Sequence, residues 1–262
     1  MSNTHPAYRR GPLRPVADRL PPGTIAARHQ RGGAARQAAW EATIAYDLPQ
    51  KPAHTDKASS WAYAEEFVAE DDVLLTAREV GVEIGCRAVQ PGAGAVLRVA
   101  AAALQARAVV EIGTGTGVGA LWLLRGMPED GVLTTIDPEV GHQRAARQVL
   151  AAAGIAPTRL RAIAGRATEV LPRLADGGYD LVVVGGDPAH YPEVVEEGLR
   201  LLRRGGMLAV DAALLHDQVA NPARRDELTT VVREVGRRLR DDDRVLPALL
   251  PSGDGLLLAV VR

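Results

Sequence analysis

Glu111-Ile-Gly-Thr-Gly115-Thr-Gly117 decides how this chain folds. It follows the apolar run Ala108-Val109-Val110 and precedes an apolar helical pattern beginning at Val118. A strand that ends in a glycine turn and opens a helix offers bare backbone to a ligand, because glycine adopts φ > 0 and carries no Cβ. The next apolar run, Gly131-Val-Leu-Thr-Thr-Ile, closes on Asp137, twenty positions past Gly117. A carboxylate about 20 residues beyond such a turn accepts hydrogen bonds from ribose hydroxyls. The pair predicts a nucleoside cofactor at the carboxyl end of a parallel sheet.

Two nucleoside cofactors compete for that site. Gly115-Thr-Gly117-Val-Gly119-Ala120 satisfies the dinucleotide spacing, in which a pyrophosphate rests on the helix N-terminus. Glu111 at the strand end argues against it, since a carboxylate repels a pyrophosphate. It favours a ligand with an ammonium group, such as the methionine part of S-adenosylmethionine. A tight turn with no ligand is the third reading, and three alternating glycines make it entropically expensive.

The 262 residues are 47% hydrophobic, enough for one large α/β domain with extensions. The formal charge of −1 gives no global case for nucleic acid. Cys86 is the only cysteine, so no internal disulfide forms, as in a reducing compartment. No apolar run has membrane-spanning length and no signal peptide opens the chain, so a cytoplasmic protein is expected. Residues 1–58 differ from the rest: seven prolines interrupt them, and nine basic against four acidic residues leave +5. Such a segment buries too little to order itself. It is expected to be an extension, with a short helix over 34–44, ahead of a domain spanning 59–262.

Helical period suggests two helices between Trp61 and Val82, and Cys86 reads as buried packing beside Ile84. Gln90-Pro-Gly-Ala-Gly94 reads as a loop and 95–104 as a helix. Strands near 108–113, 131–137, 159–164, 179–185 and 206–211 then alternate with helices near 118–126, 139–153, 167–175 and 191–203, which signals a parallel sheet. Residues 222–239 form a charged helix. Two apolar runs around Pro251-Ser-Gly-Asp-Gly255 form a hairpin. Asp241-Asp-Asp243 follows a basic helix end and reads as solvated charge.

From Trp61 to Arg262 the chain resembles class I S-adenosylmethionine-dependent O-methyltransferases of the catechol and caffeoyl-CoA type, in an actinobacterial branch. The carriers are the Glu111–Gly117 motif, Gly131–Asp137, Gly154-Ile155, Glu169-Val-Leu-Pro-Arg-Leu174, Tyr179-Asp-Leu-Val and Leu201-Leu-Arg-Arg-Gly-Gly206. The resemblance implies a Rossmann-like seven-stranded α/β sheet with helices on both faces and a C-terminal β-hairpin. It implies that Glu111, Gly113, Thr114, Gly115 and Gly117 flank the methionine part of S-adenosylmethionine, that Asp137 holds the ribose, and that Arg166 lies beside the adenine. A small-molecule methyl acceptor and a homodimer follow from it, with the Trp61, Tyr63 and Phe67 cluster on the helices that cover the acceptor site or pair the subunits.

The chain departs from the catechol-type pattern at its Mg²⁺ site. Gly185 stands at the position of a ligand Asp, Pro188 at that of the general-base lysine, and Ala212 at that of a ligand Asn, while Asp211 is retained. A hard cation needs several oxygen ligands, so a metal-independent methyltransferase is expected. Methyl transfer is an in-line displacement that needs alignment more than acid–base chemistry. Asp187, Asp211 and His190 are the candidate catalytic groups, with Tyr191 and His216 nearby in sequence; Asp187 is also a candidate cofactor contact. A binder of S-adenosylmethionine or S-adenosylhomocysteine without turnover, and a nicotinamide oxidoreductase, remain the alternatives.

Overall fold

The computed structural model describes residues 57–262. The expected extension and its helix over 34–44 therefore lie outside the described residues, apart from the last two positions. Three helices precede the sheet: α1 (Lys57–Glu66), α2 (Asp72–Glu83) and α3 (Pro91–Ala103). Asp71 caps α2 by accepting from the Leu74 amide at 3.1 Å. The expected loop over 90–94 is instead the first turn of α3. Proline suits the first helical position, where its missing N–H has no intrahelical partner. The glycines there serve close packing: a Cβ on Gly94 would lie 2.5 Å from the Trp122 indole.

The sheet begins with β1 (Ala108–Ile112), α4 (Val118–Gly126), β2 (Val132–Asp137), α5 (Val140–Ala152) and β3 (Leu160–Ala164). It continues with α6 (Ala167–Val170), β4 (Tyr179–Val184), α7 (Tyr191–Leu201) and β5 (Leu202–Val210). The last elements are α8 (Glu227–Asp241), β6 (Val245–Leu250) and β7 (Leu256–Val261). Seven strands lie in the order β3-β2-β1-β4-β5-β7-β6. β1 to β5 are parallel, and β7 runs antiparallel between β5 and β6.

Alternation along the strands feeds two cores. Val109, Leu181 and Val183 face one layer with Leu97, Leu121 and Trp122. Val110, Val182 and Val184 face the other with Val194, Val232 and Val235. Both faces are covered, which is why these strands are nearly continuous apolar runs.

Three boundaries move for local reasons. The helix expected over 167–175 shortens to one turn and a 3₁₀ turn at Leu171–Arg173. α8 starts at Glu227 rather than 222, because Asp226 caps it through the Thr229 amide at 3.0 Å. β5 starts at Leu202, where an irregularity in its pairing with β4 accommodates the extra residues. Cys86 falls after α2, half-buried, and lines a cavity instead of filling a core. Asp241 pairs with Arg240 and Asp242 with Arg244, as solvated charge requires.

One carboxylate ties the helical prefix to the far end of the chain. Glu65 on α1 accepts from the Gly92 amide at 2.9 Å, the Ser252 hydroxyl at 3.0 Å and the Gly253 amide at 2.5 Å. It supplies a free helix-start donor of α3 with a partner and anchors the β6–β7 turn. Replacing Glu65 with Ala should lower unfolding stability by about 2 kcal/mol, since the buried Gly92 amide and the half-buried Gly253 amide lose an acceptor. Urea denaturation measures this, and an unchanged midpoint would show that the carboxylate holds nothing.

Candidate functional site

The parallel strand order reverses direction between β1 and β4, and ligands of open α/β sheets bind in the crevice outside such a point. The strand ends are zipped one residue further. Gly113 donates to Ile136 O, Gly185 to Ile112 O and Asp211 to Val184 O, each at 2.9 Å. The two turns then touch backbone to backbone: a Cβ on Gly113, whose φ is +89°, would lie 2.8 Å from Gly186 N. Above them opens a cavity of about 650 Å³, inside the range of roughly 300–1,000 Å³ typical of small-molecule sites.

One end of the cavity lies over β2 and β3. Asp137 terminates β2, and its carboxylate accepts from the Gly115 amide at 3.0 Å and the Glu139 amide at 2.9 Å. His142 Nδ1 lies 3.2 Å from the same carboxylate. Two backbone donors thus fix the orientation of Asp137, and His142 shares its outer face. Arg166, exposed, lines this end from the turn before α6, as do Ala167 and Thr168.

The other end lies over β4, β5 and the β6–β7 turn. Asp187 follows the glycine pair and accepts from the Ala189 amide at 3.0 Å. His190 and Tyr191 line the same wall. The Tyr191 hydroxyl donates to Asp211 O at 3.0 Å. Burial, with Asp211 and Asp254 adding to it, pushes the phenol above its ordinary range. Burial likewise raises the Asp211 carboxyl. Arg87 closes the rim through Asp254 at 3.0 Å.

Glu111 occupies a different place from the one its motif suggests. It lies in a recess of about 50 Å³ that adjoins the main cavity beneath Gly113 and Gly185. Its relative exposure is 4%, and Thr135 donates to it at 2.7 Å. Burial pushes its pKa up to about 8. A buried carboxyl avoids charge unless a cation accompanies it. Thr114 does not reach the main cavity; its hydroxyl pairs with Thr135 at 2.7 Å and so supports Glu111. Gly117 lines neither space and packs on Ala146 at the start of α4. Gly113, Gly115, Asp137, Arg166, Asp187, His190 and Asp211 meet in one cavity. His216 is exposed and lies against Asp254 outside it.

The motif reading missed Cys86, Arg87, His142 and Asp254 as cavity residues. His142 sits in the first turn of the helix after Asp137, a position that a search for partners of the motif acid would have reached. Arg87 and Asp254 are 167 residues apart, and no local signal pairs them.

The donors for the Mg²⁺ expected of catechol-type relatives do not fit. Gly185 and Ala212 offer no side-chain oxygen beside Asp211. Among the described residues no cluster of three His, Cys, Asp or Glu side chains is arranged for a metal ion. Ala212 nevertheless keeps a left-handed φ of +54°, a conformation that asparagine tolerates better than alanine.

A family profile described as O-methyltransferase matches residues 59–262. A Mycobacterium tuberculosis protein named as an O-methyltransferase is 50% identical over 214 residues, covering 82% of this chain and 96% of the relative. A Corynebacterium glutamicum protein of known structure superposes with a TM-score of 0.72 at 31% identity, over 78% of this chain and 96% of its own. The O-methyltransferase TomG of Streptomyces achromogenes, involved in tomaymycin synthesis and solved with S-adenosylmethionine, gives 0.69 at 30% identity, over 79% and 99%.

The state of Glu111 is testable without any ligand. Its folded pKa of about 8 exceeds its ordinary value of 4.5. Between those values the folded state holds more protons than the unfolded one, so stability falls as pH rises. Glu111→Gln should remove that loss. The variant should gain on the wild type by roughly 1 kcal/mol per pH unit between pH 5 and 8 in chemical denaturation. A stability difference independent of pH would contradict the buried, protonated acid.

Proposed function

The chain belongs to the O-methyltransferase family, and on that footing we propose that it transfers a methyl group from S-adenosylmethionine to a small hydroxyl compound without a divalent metal. The observation that carries the reading is the single cavity running from Asp137 to Asp211 over bare backbone at Gly113, Gly185 and Gly186. A nucleoside fits at the β2 end and an acceptor at the β4–β5 end, so the transferred methyl lies over the glycines. The side-chain-free floor lets both partners approach in line, which is where most of the rate gain of a displacement arises.

In this reading Asp137 receives the ribose hydroxyls, displacing or sharing with His142. The Gly113–Gly115 backbone follows the methionine chain. Arg166 stacks its planar guanidinium on the adenine. Glu111, in the recess below, ionises when the cationic cofactor arrives. Asp187 and Asp211 face the sulfonium from the acceptor side. The acceptor oxygen forms its bond to the methyl carbon as the carbon–sulfur bond breaks, and the electron pair stays on sulfur as a thioether. The hydroxyl proton leaves to Asp211, Asp187 or His190. The methyltransferase domain is 59–262, with 1–58 as an extension. Among the described residues no helix is long and apolar enough to cross a membrane. A cytoplasmic location accords with that.

A homodimer belongs to the same reading. α1 buries none of its residues, and Trp61, Tyr63 and Phe67 are 48%, 71% and 71% exposed. Light scattering coupled to size exclusion should give twice the chain mass, and Tyr63→Ser with Phe67→Ser should shift it toward one. A monomeric wild type would refute the pairing.

Calorimetric titration with S-adenosylhomocysteine tests the cofactor site. Wild type should bind equally with Mg²⁺ and with EDTA, and Asp137→Ala should weaken binding at least about tenfold, the loss of roughly one charge-assisted pair. No binding in either condition would overturn the methyltransferase reading. Binding with no methyl transfer to any hydroxyl compound would favour a protein that holds the cofactor without turnover, for which the missing lysine at Pro188 already argues.

A further inference from the structure

Resting on the S-adenosylmethionine reading, we propose that the acceptor is a small hydroxy compound that is uncharged or carries an ammonium group, and that anionic acceptors, coenzyme A thioesters included, are rejected. Among the described residues, the acceptor end of the cavity carries three carboxylates, Asp187, Asp211 and Asp254, against one guanidinium, Arg87. Arg87 is already paired: its Nη2 lies 3.0 Å from Asp254 Oδ2. Asp187 and Asp211 are left without a cationic side chain among their hydrogen-bond partners.

The polarity of the hydrogen bonds points the same way. The Tyr191 hydroxyl gives its proton to Asp211 O, so only its lone pairs face the guest. Asp254 takes the His216 amide on its other oxygen, so the charge it adds to the rim is already shared with Arg87. Asp211 is half-buried at the floor and lines the cavity. These acceptors favour a guest that brings donors, which hydroxyl and ammonium groups do and carboxylates or phosphates do not. A cleft lined by one sign of charge, with low-dielectric walls, concentrates its field on what enters. A like charge placed there is repelled. A coenzyme A tail carries several phosphate charges, and among the described residues the only other arginine on the lining, Arg166, lies at the opposite end of the cavity.

The arrangement also suits the reaction. A neutral hydroxyl attacking a sulfonium gains positive charge as the carbon–oxygen bond forms. The carboxylates oppose that charge, and one of them takes the proton.

Three matched phenols test the proposal on protein first loaded with S-adenosylhomocysteine and shown by calorimetry to be so. Tyramine, tyrosol and 4-hydroxyphenylacetate share a ring and chain and differ in charge. Tyramine should bind tightest and the acid weakest, with at least about a tenfold gap between them, shrinking at high salt as screening sets in. Asp187→Asn and Asp211→Asn should each narrow the gap, while Arg87→Gln, which frees Asp254, should widen it. Equal affinities, a preference for the acid, binding of none of the three, or a gap indifferent to all the substitutions would overturn the acceptor class. Failure to load with S-adenosylhomocysteine would instead strike the cofactor reading beneath it. Asp187→Asn, at an exposed turn, keeps the test independent of any folding defect in the half-buried Asp211 variant.

Discussion

The contact of two backbones at the crevice between β1 and β4 governs the rest of this molecule. Gly113 meets the backbone of Gly186 so closely that it has no room for a Cβ of its own. That closeness brings the turns after two adjacent parallel strands to one level and leaves their upper surface free of side chains. Everything chemical stands around this bare patch. Asp137 closes one side through its hold on the Gly115 amide, and Asp187 and Asp211 close the other. The sheet could tolerate many exchanges among Val, Leu and Ile in its two layers. It could not tolerate a side chain at Gly113 without parting the two turns.

The glycine pair has a second consequence. Gly185 brings no side chain to the site, yet its amide bonds Ile112 O as the amides of Gly113 and Asp211 bond the ends of their neighbouring strands. The scaffold of the site is thus separable from its ligand chemistry. Ala212 makes the same point from β5, since it retains a left-handed backbone that costs about 1 kcal/mol or more for a residue with a Cβ. Such strain persists only where the surroundings over-determine it. Here the amides of Ala213 and Leu214 bond to Gly255 and Asp254 of the hairpin turn.

Charge is distributed unevenly over the cavity, and that unevenness comes from the topology. The hairpin inserts β7 beside β5, which carries the turn at Asp254 over the acceptor end and draws Arg87 to it. Glu65 fastens the same turn to α1 and α3. The far end of the chain and the helical prefix therefore build one wall together. Neither would line a cavity without the other.

Sequence alone determined the order and type of the elements, because periods of two and of 3.6 residues are local properties of the chain. It also determined the glycine turn and its partner acid, whose spacing is set within one βαβ unit. Helix α4 falls on its expected residues, and β1 to β4 shift by one residue at most at either end. Helix starts were less legible: Pro91 opens α3 inside a Pro-Gly stretch that also suits a loop, and Asp226 stops α8 from starting earlier by capping the Thr229 amide. The tertiary structure decided which side of the floor each motif residue occupies. Glu111 carries the motif's charge in sequence but is buried below the crevice, where desolvation holds it protonated. Thr114 and Gly117 serve that burial and the helix packing instead of the cavity. Arg87 and Asp254 joined the site because strand order brought distant turns together. That long-range pairing leaves no trace in any local stretch of residues.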